Sequence, residues 1–425
     1  MTLRRHRAAL GQRLLPAALR GDFRFLWASA ASSNIGDGVL LAAGPLLIAS
    51  ITDSPLAVGM AVFAQQLPWL LFSLLSGAVV DRIDRRRLLV VVDALRAAVI
   101  AVLALAVLVG YDPLWLFYTV LFLLGTGETL ADNAFGALIA TTVPKHALGD
   151  ANSRLFPTFT LANQLVGPPV GAFLFVAAVW APFGLAAVVV LLATVLASRI
   201  ARRPAPDTPL PPVRPGIKGV VHDVHEGLVW LWRHDGVRTL ALTILVMNIT
   251  FFGAFATWVL YTRDRLGLNE TQFGLILAVS ALGGFLGPVV YSFLHHRVGA
   301  VWLLRVGLVI ETCTHLALAL TRSPWVAAAV MLLFGVHGMV WGIVSTTVRQ
   351  QATPAPLLGR VNSVYLLASV GGAAIGALLG SLVAQGFGLT APFWAAFVLM
   401  IGVTAAAWRP FGHVVVERSG STQAL

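Results

Sequence analysis

Apolar residues run through the chain in long blocks, broken by short clusters of glycine, proline and charge. Cut at those breaks, the blocks fall at about 24–50, 55–80, 87–110, 113–142, 152–177, 180–200, 238–262, 268–293, 299–320, 324–348, 355–384 and 388–409. A helix rises ~1.5 Å per residue, so ~20 residues cross a ~30 Å hydrocarbon core. The pattern predicts an all-α integral membrane protein with twelve transmembrane helices, here called spans one to twelve. The longest polar break is central. Its first part, Arg202–Arg214, is proline-rich; its second, Ile217–Arg233, carries Val220, Val221, Val224, Leu228 and Leu231 at helical spacing. That second part predicts an amphipathic helix lying on the membrane surface.

Composition agrees with this pattern. Of 425 residues, 58% are hydrophobic and only 11% charged, with a mean hydropathy of +0.85. Soluble domains carry about 25% charged residues, and the short breaks leave no room for an aqueous domain. The net charge of +11 would suggest nucleic acid in a soluble chain; here its distribution reads as topology. Arginines and lysines crowd the segment before span one and the even-numbered loops, whereas the odd-numbered loops hold only Arg263, Arg265 and Arg322. Positive residues favour the cytoplasmic side, so both termini and every even-numbered loop are expected there. The basic leader runs straight into span one without a cleavage signal and is expected to stay attached. The single cysteine, Cys313, excludes an internal disulfide framework. No metal-ligand spacing or phosphate loop is present, so neither a cofactor nor an enzyme activity is expected.

The chain repeats itself. Val143–Ser153 matches Thr353–Ser363 at an offset of 210, Arg24 and Asn34 match Arg238 and Asn248 at 214, and Gly167 and Gly171 match Gly376 and Gly380 at 209. The repeat divides the chain into a six-helix bundle (1–200), a cytoplasmic linker with the interfacial helix (201–237), a second six-helix bundle (238–409) and a cytoplasmic tail (410–425).

Between spans two and three lies Gly77-Ala78-Val79-Val80-Asp81-Arg82-Ile83-Asp84-Arg85-Arg86-Arg87. This segment resembles the corresponding loop of major facilitator superfamily transporters, and the six-plus-six duplication resembles their plan. Leu124–Asn133, Asn152–Leu155 and Asn163–Gly171 narrow the likeness to the drug:proton antiporter-3 branch, with its macrolide-efflux, enterobactin-exporter and Tap-like members, and the chain is similar to actinobacterial ones. The resemblance implies the facilitator fold, alternating access around a central site, a monomer, and a small-molecule substrate exchanged against protons. It also implies a gate latch of Gly77, Asp81, Arg82, Arg85 and Arg86, with Gly77 allowing close helix approach. The second repeat places Tyr291 where the first has Asp81, so the latch is expected in the first half alone, clasping spans two and eleven. One position departs from the pattern: Leu121 stands where many drug–proton antiporters carry a span-four arginine.

Ionisable residues inside a span cost several kcal/mol and face the protein interior. Asp37 and Glu128 fall near mid-membrane, about 18 and 21 Å from the inner ends of their spans at ~1.5 Å per residue. Asp132, one turn from Glu128, lies on the same helix face. Two carboxylates sharing a low-dielectric site do not both keep their charge, which suits a proton carrier. Asp37, with no base nearby in sequence, Glu128 and Asp132 are therefore the coupling candidates; hydrogen bonding to Asn34, Thr126 or Thr129 is the other role open to the first two. Asp93 and Arg96 read as a structural charge cluster, with Arg96 and Asp132 at heights that allow pairing. Asn34, Asn163, Gln164, Asn248, His337, Trp341 and Tyr365 are candidate cavity groups, and each would equally serve in helix packing. Glu311 and His315, one turn apart, read as a local pair. Gly167, Pro168, Pro169 and Gly171 read as a pivot in span five, because the prolines remove backbone donors.

Together these residues predict secondary-active export of small amphipathic molecules, drug- or antibiotic-like, by proton antiport. A dedicated exporter of a siderophore or other native metabolite is the first alternative. A lipid or lysolipid translocator and a non-transporting receptor are more distant ones.

Overall fold

A computed structural model describes residues 19, 21–80, 83–201 and 217–412. Latch residues Asp81 and Arg82, like the proline-rich Arg202–Arg214, lie outside the described residues. Among the described residues, eleven helices are long and apolar enough to cross a membrane. The longest, Glu270–Leu320, contains Gly299 at φ 75° and ψ 162°, a conformation no helix continues through. Glycine adopts it because it lacks a Cβ. The 51-residue element is therefore spans eight and nine, and the twelve expected spans are all present.

In chain order the others are span one (Phe23–Ile51), two (Pro55–Val80), three (Arg85–Leu108), four (Leu114–Thr142), six (Ala181–Ser198), seven (Asp235–Phe255), ten (Pro324–Ala352), eleven (Leu358–Phe387) and twelve (Ala391–Trp408). Local chemistry sets several of their ends. Asp84 caps span three by accepting the Arg87 N–H at 3.0 Å, and Asn269 with Gln272 forms a capping box at the start of span eight. Prolines open spans six, ten and twelve, where a missing N–H costs nothing.

Span five is built in three pieces: an α-helix at Leu148–Phe159, a π-helical turn at Thr160–Val166, and an α-helix at Gly167–Ala177. Pro168 and Pro169 offer no N–H to the carbonyls one turn back. The chain answers by widening, with the Gly167 N–H reaching the Ala162 carbonyl five residues away. At the residues read as a pivot, the prolines are thus accompanied by a π-bulge.

Glycines fix the crossings inside each half, and here the repeat becomes visible in space. A Cβ on Gly167 would lie 2.5 Å from Gly38, so spans one and five meet backbone to backbone. In the second half, Gly376 presses on Ile249 and Gly380 on Gly253, bringing spans seven and eleven together in the same manner. Small residues are what allow such approach in a membrane.

The halves are tied at the end carrying the odd-numbered loops. Arg263, beyond span seven, binds Asp53 at 2.7 Å and the Ala49 carbonyl at 3.1 Å. The Ser54 hydroxyl donates to the Gln385 side-chain carbonyl at 2.8 Å. Deeper in, Gly59 of span two packs on Ser381 of span eleven, and Gly274 of span eight on Pro168 and Ala172 of span five. At the opposite end, the helix Ile217–Trp232 is held to the start of span eleven, where Arg360 binds Asp223 and Glu226, each at 3.1 Å.

Candidate functional site

Arg96 enters the first half from span three and is 4% exposed. Its guanidinium binds Asp37 of span one at 2.5 Å and Asp93, one turn away on its own helix, at 3.1 Å. Glu128 of span four stands 3.7 Å off, and the Ser33 hydroxyl oxygen accepts from the guanidinium at 3.2 Å. The route to this position is cut through span four by Gly127, where a Cβ would meet the Arg96 side chain at 2.7 Å. The motif Thr126-Gly127-Glu128 thus supplies both the passage for the cation and one of its counter-charges.

This hub lies on the wall of a cavity of about 610 Å³. Asp132, Ser33, Asn34, Gln65, Trp69 and Asn163 line it as well, and its lower wall reaches Ile139, Asn152 and Leu155 near the even-loop end. A second chamber of about 270 Å³ lies on the odd-loop side, between the halves, and is walled by apolar and aromatic residues including Leu121, Phe252, Phe255, Trp258 and Phe273. Asp37, Leu41, Gln65 and Glu128 face both spaces. Asp93, by contrast, is 2% exposed against 19% and 24% for the Asp37 and Glu128 side chains. Two carboxylates therefore stand on the partition between a polar chamber and an apolar one. One is buried behind them as a fixed counter-charge to Arg96.

The structure revises several expectations. Asp37 is not without a base: folding brings Arg96 to it from 59 residues away in sequence. Arg96 pairs with Asp37, Asp93 and Glu128 rather than with Asp132, which is exposed on the cavity wall and makes no ion pair among the described residues. His337 and Trp341 do not face the cavity. Both are buried in the second half, where His337 lies 3.2 Å from Glu311 and Trp341 packs in an apolar cluster with Leu308, Val344 and Phe411. Glu311 is accordingly flanked by two histidines, with His315 at 3.5 Å, where the spacing had suggested one. A buried carboxylate collects whichever donors the neighbouring helix offers.

Among the remaining candidates, Asn34 donates to the Ala30 carbonyl at 2.8 Å and Asn248 to the Ile244 carbonyl at 2.9 Å, each within its own helix. Gln164 lies in the π-turn beside Asn163. The Tyr365 hydroxyl donates to Ser345 at 3.4 Å. Gly77 makes no close helix contact, since a Cβ there would meet nothing within 4 Å. Of the arginines beside it, Arg86 donates to the Ser198 carbonyl at the end of span six. Sequence reasoning passed over Ser33, Gln65 and Trp69. Gln65 and Trp69 are one turn apart on span two, opposite Glu128, and that one-turn spacing was their only signal.

Comparison with known proteins places this architecture. Residues 16–414 match the transmembrane secretion effector family of the major facilitator superfamily, and the chain belongs to that family. It is similar to the multidrug efflux pump Tap of Mycolicibacterium fortuitum, with 27% identity over 406 residues covering 91% of this chain and 95% of Tap. It is also similar to the enterobactin exporter EntS of Escherichia coli, at 27% identity over 376 residues and 85% of each chain. In structure it resembles the nucleoside transporter NupG, with a TM-score of 0.71 over 92% of this chain and 98% of that one at 10% identity. The likeness to NupG shows the shared fold.

Proposed function

We propose that this transmembrane secretion effector is a proton-coupled exporter of small amphipathic molecules, working by alternating access. The observation that carries the reading is the charge ledger of the hub. Asp37, Asp93, Glu128 and Asp132 face a single guanidinium, Arg96. With every group ionised, the wall would hold three uncompensated negative charges at mid-membrane. Such a surplus is costly in low dielectric, and protons or the cationic group of a bound molecule relieve it. Protons and a cationic amphiphile then compete for the same carboxylates, which is what exchange requires.

The arginine asymmetry of the loops supports an even-loop end facing the cytoplasm. On that orientation, the cavity receives its cargo from inside while the Arg263–Asp53 and Ser54–Gln385 contacts hold the outer end shut. The apolar chamber beyond Asp37 and Glu128 would take the greasy part of the molecule, its aromatic walls suiting flat or macrocyclic bodies. Closing the inner end and opening the outer one exposes the carboxylates to protons from outside, and protonation expels the cargo. The work resides in one chain acting as a monomer in the plasma membrane, without enzymatic chemistry. Tap's description as a multidrug efflux pump favours drugs as cargo. EntS, an enterobactin exporter, keeps a native metabolite as the second substrate class.

The test is reconstitution into sealed proteoliposomes with an imposed pH gradient. Cationic dyes should accumulate against their gradient and collapse the pH difference as they do. Dye movement that ignores the imposed gradient would leave transport standing and remove antiport.

A further inference from the structure

The repeat makes the two halves comparable position by position. On the first half, Phe135, Ile139, Asn152 and Leu155 line the lower cavity. At the offset of 210 their counterparts are Ser345, Arg349, Asn362 and Tyr365. Those four residues are in contact with one another. The Arg349 guanidinium sits over the Tyr365 ring at 3.5 Å and donates to Asn362 Oδ1 at 3.4 Å and Ser345 Oγ at 3.5 Å. It also donates to Thr346 Oγ1, at 3.3 Å. A cavity-lining isoleucine in one half is thus replaced in the other by an arginine inside a ring of polar groups.

This cation is anomalous. It is 7% exposed, and among the described residues it has no carboxylate within ion-pair distance. Every hydrogen bond it makes is longer than the 2.7–3.2 Å usual for N–H···O, and each acceptor is neutral. Its other partner is an aromatic face. A buried arginine is normally paired, because desolvating a charge costs several kcal/mol. The first half shows the ordinary solution, with Arg96 surrounded by carboxylates. The second half supplies a preorganised guanidinium with donors to spare. The positions of Glu128 and Asp132 correspond to Gly338 and Gly342, where a Cβ would meet nothing within 4 Å; the acids belong to the first half and this cation to the second.

We propose that Arg349 is the anion-receiving subsite of the cleft, taking a carboxylate carried by the exported molecule. The inference rests on the export reading above and narrows its substrate class to molecules bearing both signs of charge. The cationic group goes to Asp37 and Glu128; the carboxylate goes to the Arg349 fork, which binds such groups bidentately. On span four, Ile139 lies seven residues beyond Asp132, so the corresponding level of Arg349 is about 10 Å nearer the mouth at ~1.5 Å per residue. Cargo therefore meets Arg349 first and the acidic hub second.

A matched pair of probes separates the two subsites: a rhodamine methyl ester, which is a cation, and its free acid, which adds only the carboxylate. Binding to the full chain in phosphatidylcholine nanodiscs is read by fluorescence polarisation. Arg349→Gln should weaken the free acid roughly tenfold or more while leaving the ester within about twofold, and Arg349→Lys should keep most of the acid's affinity. Asp37→Asn and Glu128→Gln should weaken both probes and so report on the export site independently. Equal loss of both probes in Arg349→Gln, with Arg349→Lys no better, would assign Arg349 to the packing of spans ten and eleven and overturn the proposal. So would unchanged acid binding alongside slowed transport of both probes, which would make Arg349 part of a gate. A parent protein that prefers the ester also overturns it, and one that binds neither probe overturns it together with the export reading for this class.

Discussion

Replacing Glu128 by glutamine removes one negative charge from the partition between the two chambers and keeps the side chain's size. Its carboxylate stands 3.7 Å from Arg96 and is 24% exposed, so it is the loosest of the three groups around the guanidinium and the one water reaches most. Two unit charges about 4 Å apart interact by about 4 kcal/mol at an effective dielectric of ~20. Partial solvation reduces this, and the surviving Asp37 and Asp93 still pair Arg96. A differential of about 1.4–2 kcal/mol remains, which corresponds to about a ten- to thirtyfold change in an equilibrium. The assay compares two modes in proteoliposomes. Uphill dye uptake driven by an acidic vesicle lumen needs the carboxylate to give up and regain its proton. Exchange of labelled for unlabelled dye, at saturating dye and with no gradient, needs only the conformational change of the loaded protein. Glu128→Gln should lower gradient-driven uptake by about tenfold or more while exchange falls far less, and Asp37→Asn should behave likewise. Glu128→Asp should retain the gradient response. Identical gradient-driven uptake and identical pH profiles in parent, Glu128→Gln and Asp37→Asn would refute coupling through this hub.

Other consequences follow from packing and from the closed outer end. Arg96→Gln strands Asp93, 2% exposed, and should destabilise the protein by about 3–5 kcal/mol; Asp93→Asn in the same chain should recover part of it, as read by thermal unfolding in detergent. Gly167→Val forces a branched side chain into the Gly38 backbone, 2.5 Å from its first carbon, and should cost about 1–3 kcal/mol; an unchanged melting temperature would mean that spans one and five part without penalty. Cysteines at Ser54 and Gln385, in a chain with the exposed Cys313 replaced by serine, should cross-link under oxidation and stop transport until reduced. Transport that continues through the cross-link would show that this end does not open in the cycle. The Arg263 lock beside it should hold across the working pH range on the arginine side. Its hydrogen bond to Asp264, and next the one to Asp53, raise the guanidinium above its ordinary value. A raised cation loses its contribution only as pH climbs through the folded value, which here is beyond ordinary alkaline conditions; release of the lock at mildly alkaline pH, seen as faster exchange at the outer loops, would contradict this.

Some features were written locally and could be read locally. Twelve apolar blocks, the loop arginines and the Asn152/Asn362 repeat depend on neighbouring residues alone, and the structure bears out the spans and the fold they predict. Mid-membrane carboxylates at 37 and 128 were legible for the same reason, since depth follows from counting residues along a helix. Their partner was not. Arg96 is 59 positions from Asp37, and height alone had matched it to Asp132. Helical rotation, the passage at Gly127 and the packing of spans one, three and four decide which carboxylates the guanidinium meets.

The second half shows the same division. Sequence alone made His337 of span ten a candidate cavity group, and rotation about the helix axis turned it toward Glu311 and away from the cavity. Sequence read the even-loop arginines only as topology; only the assembled structure shows Arg349 buried on Tyr365, with no carboxylate at ion-pair distance among the described residues. The chain by itself determined that it has twelve membrane-spanning helices in two related halves, because hydrophobic length and the internal repeat are legible along the sequence alone. Tertiary structure decided which charges neutralise one another and which face the cleft. Those outcomes depend on helix rotation and packing, which bring together residues that no local spacing relates.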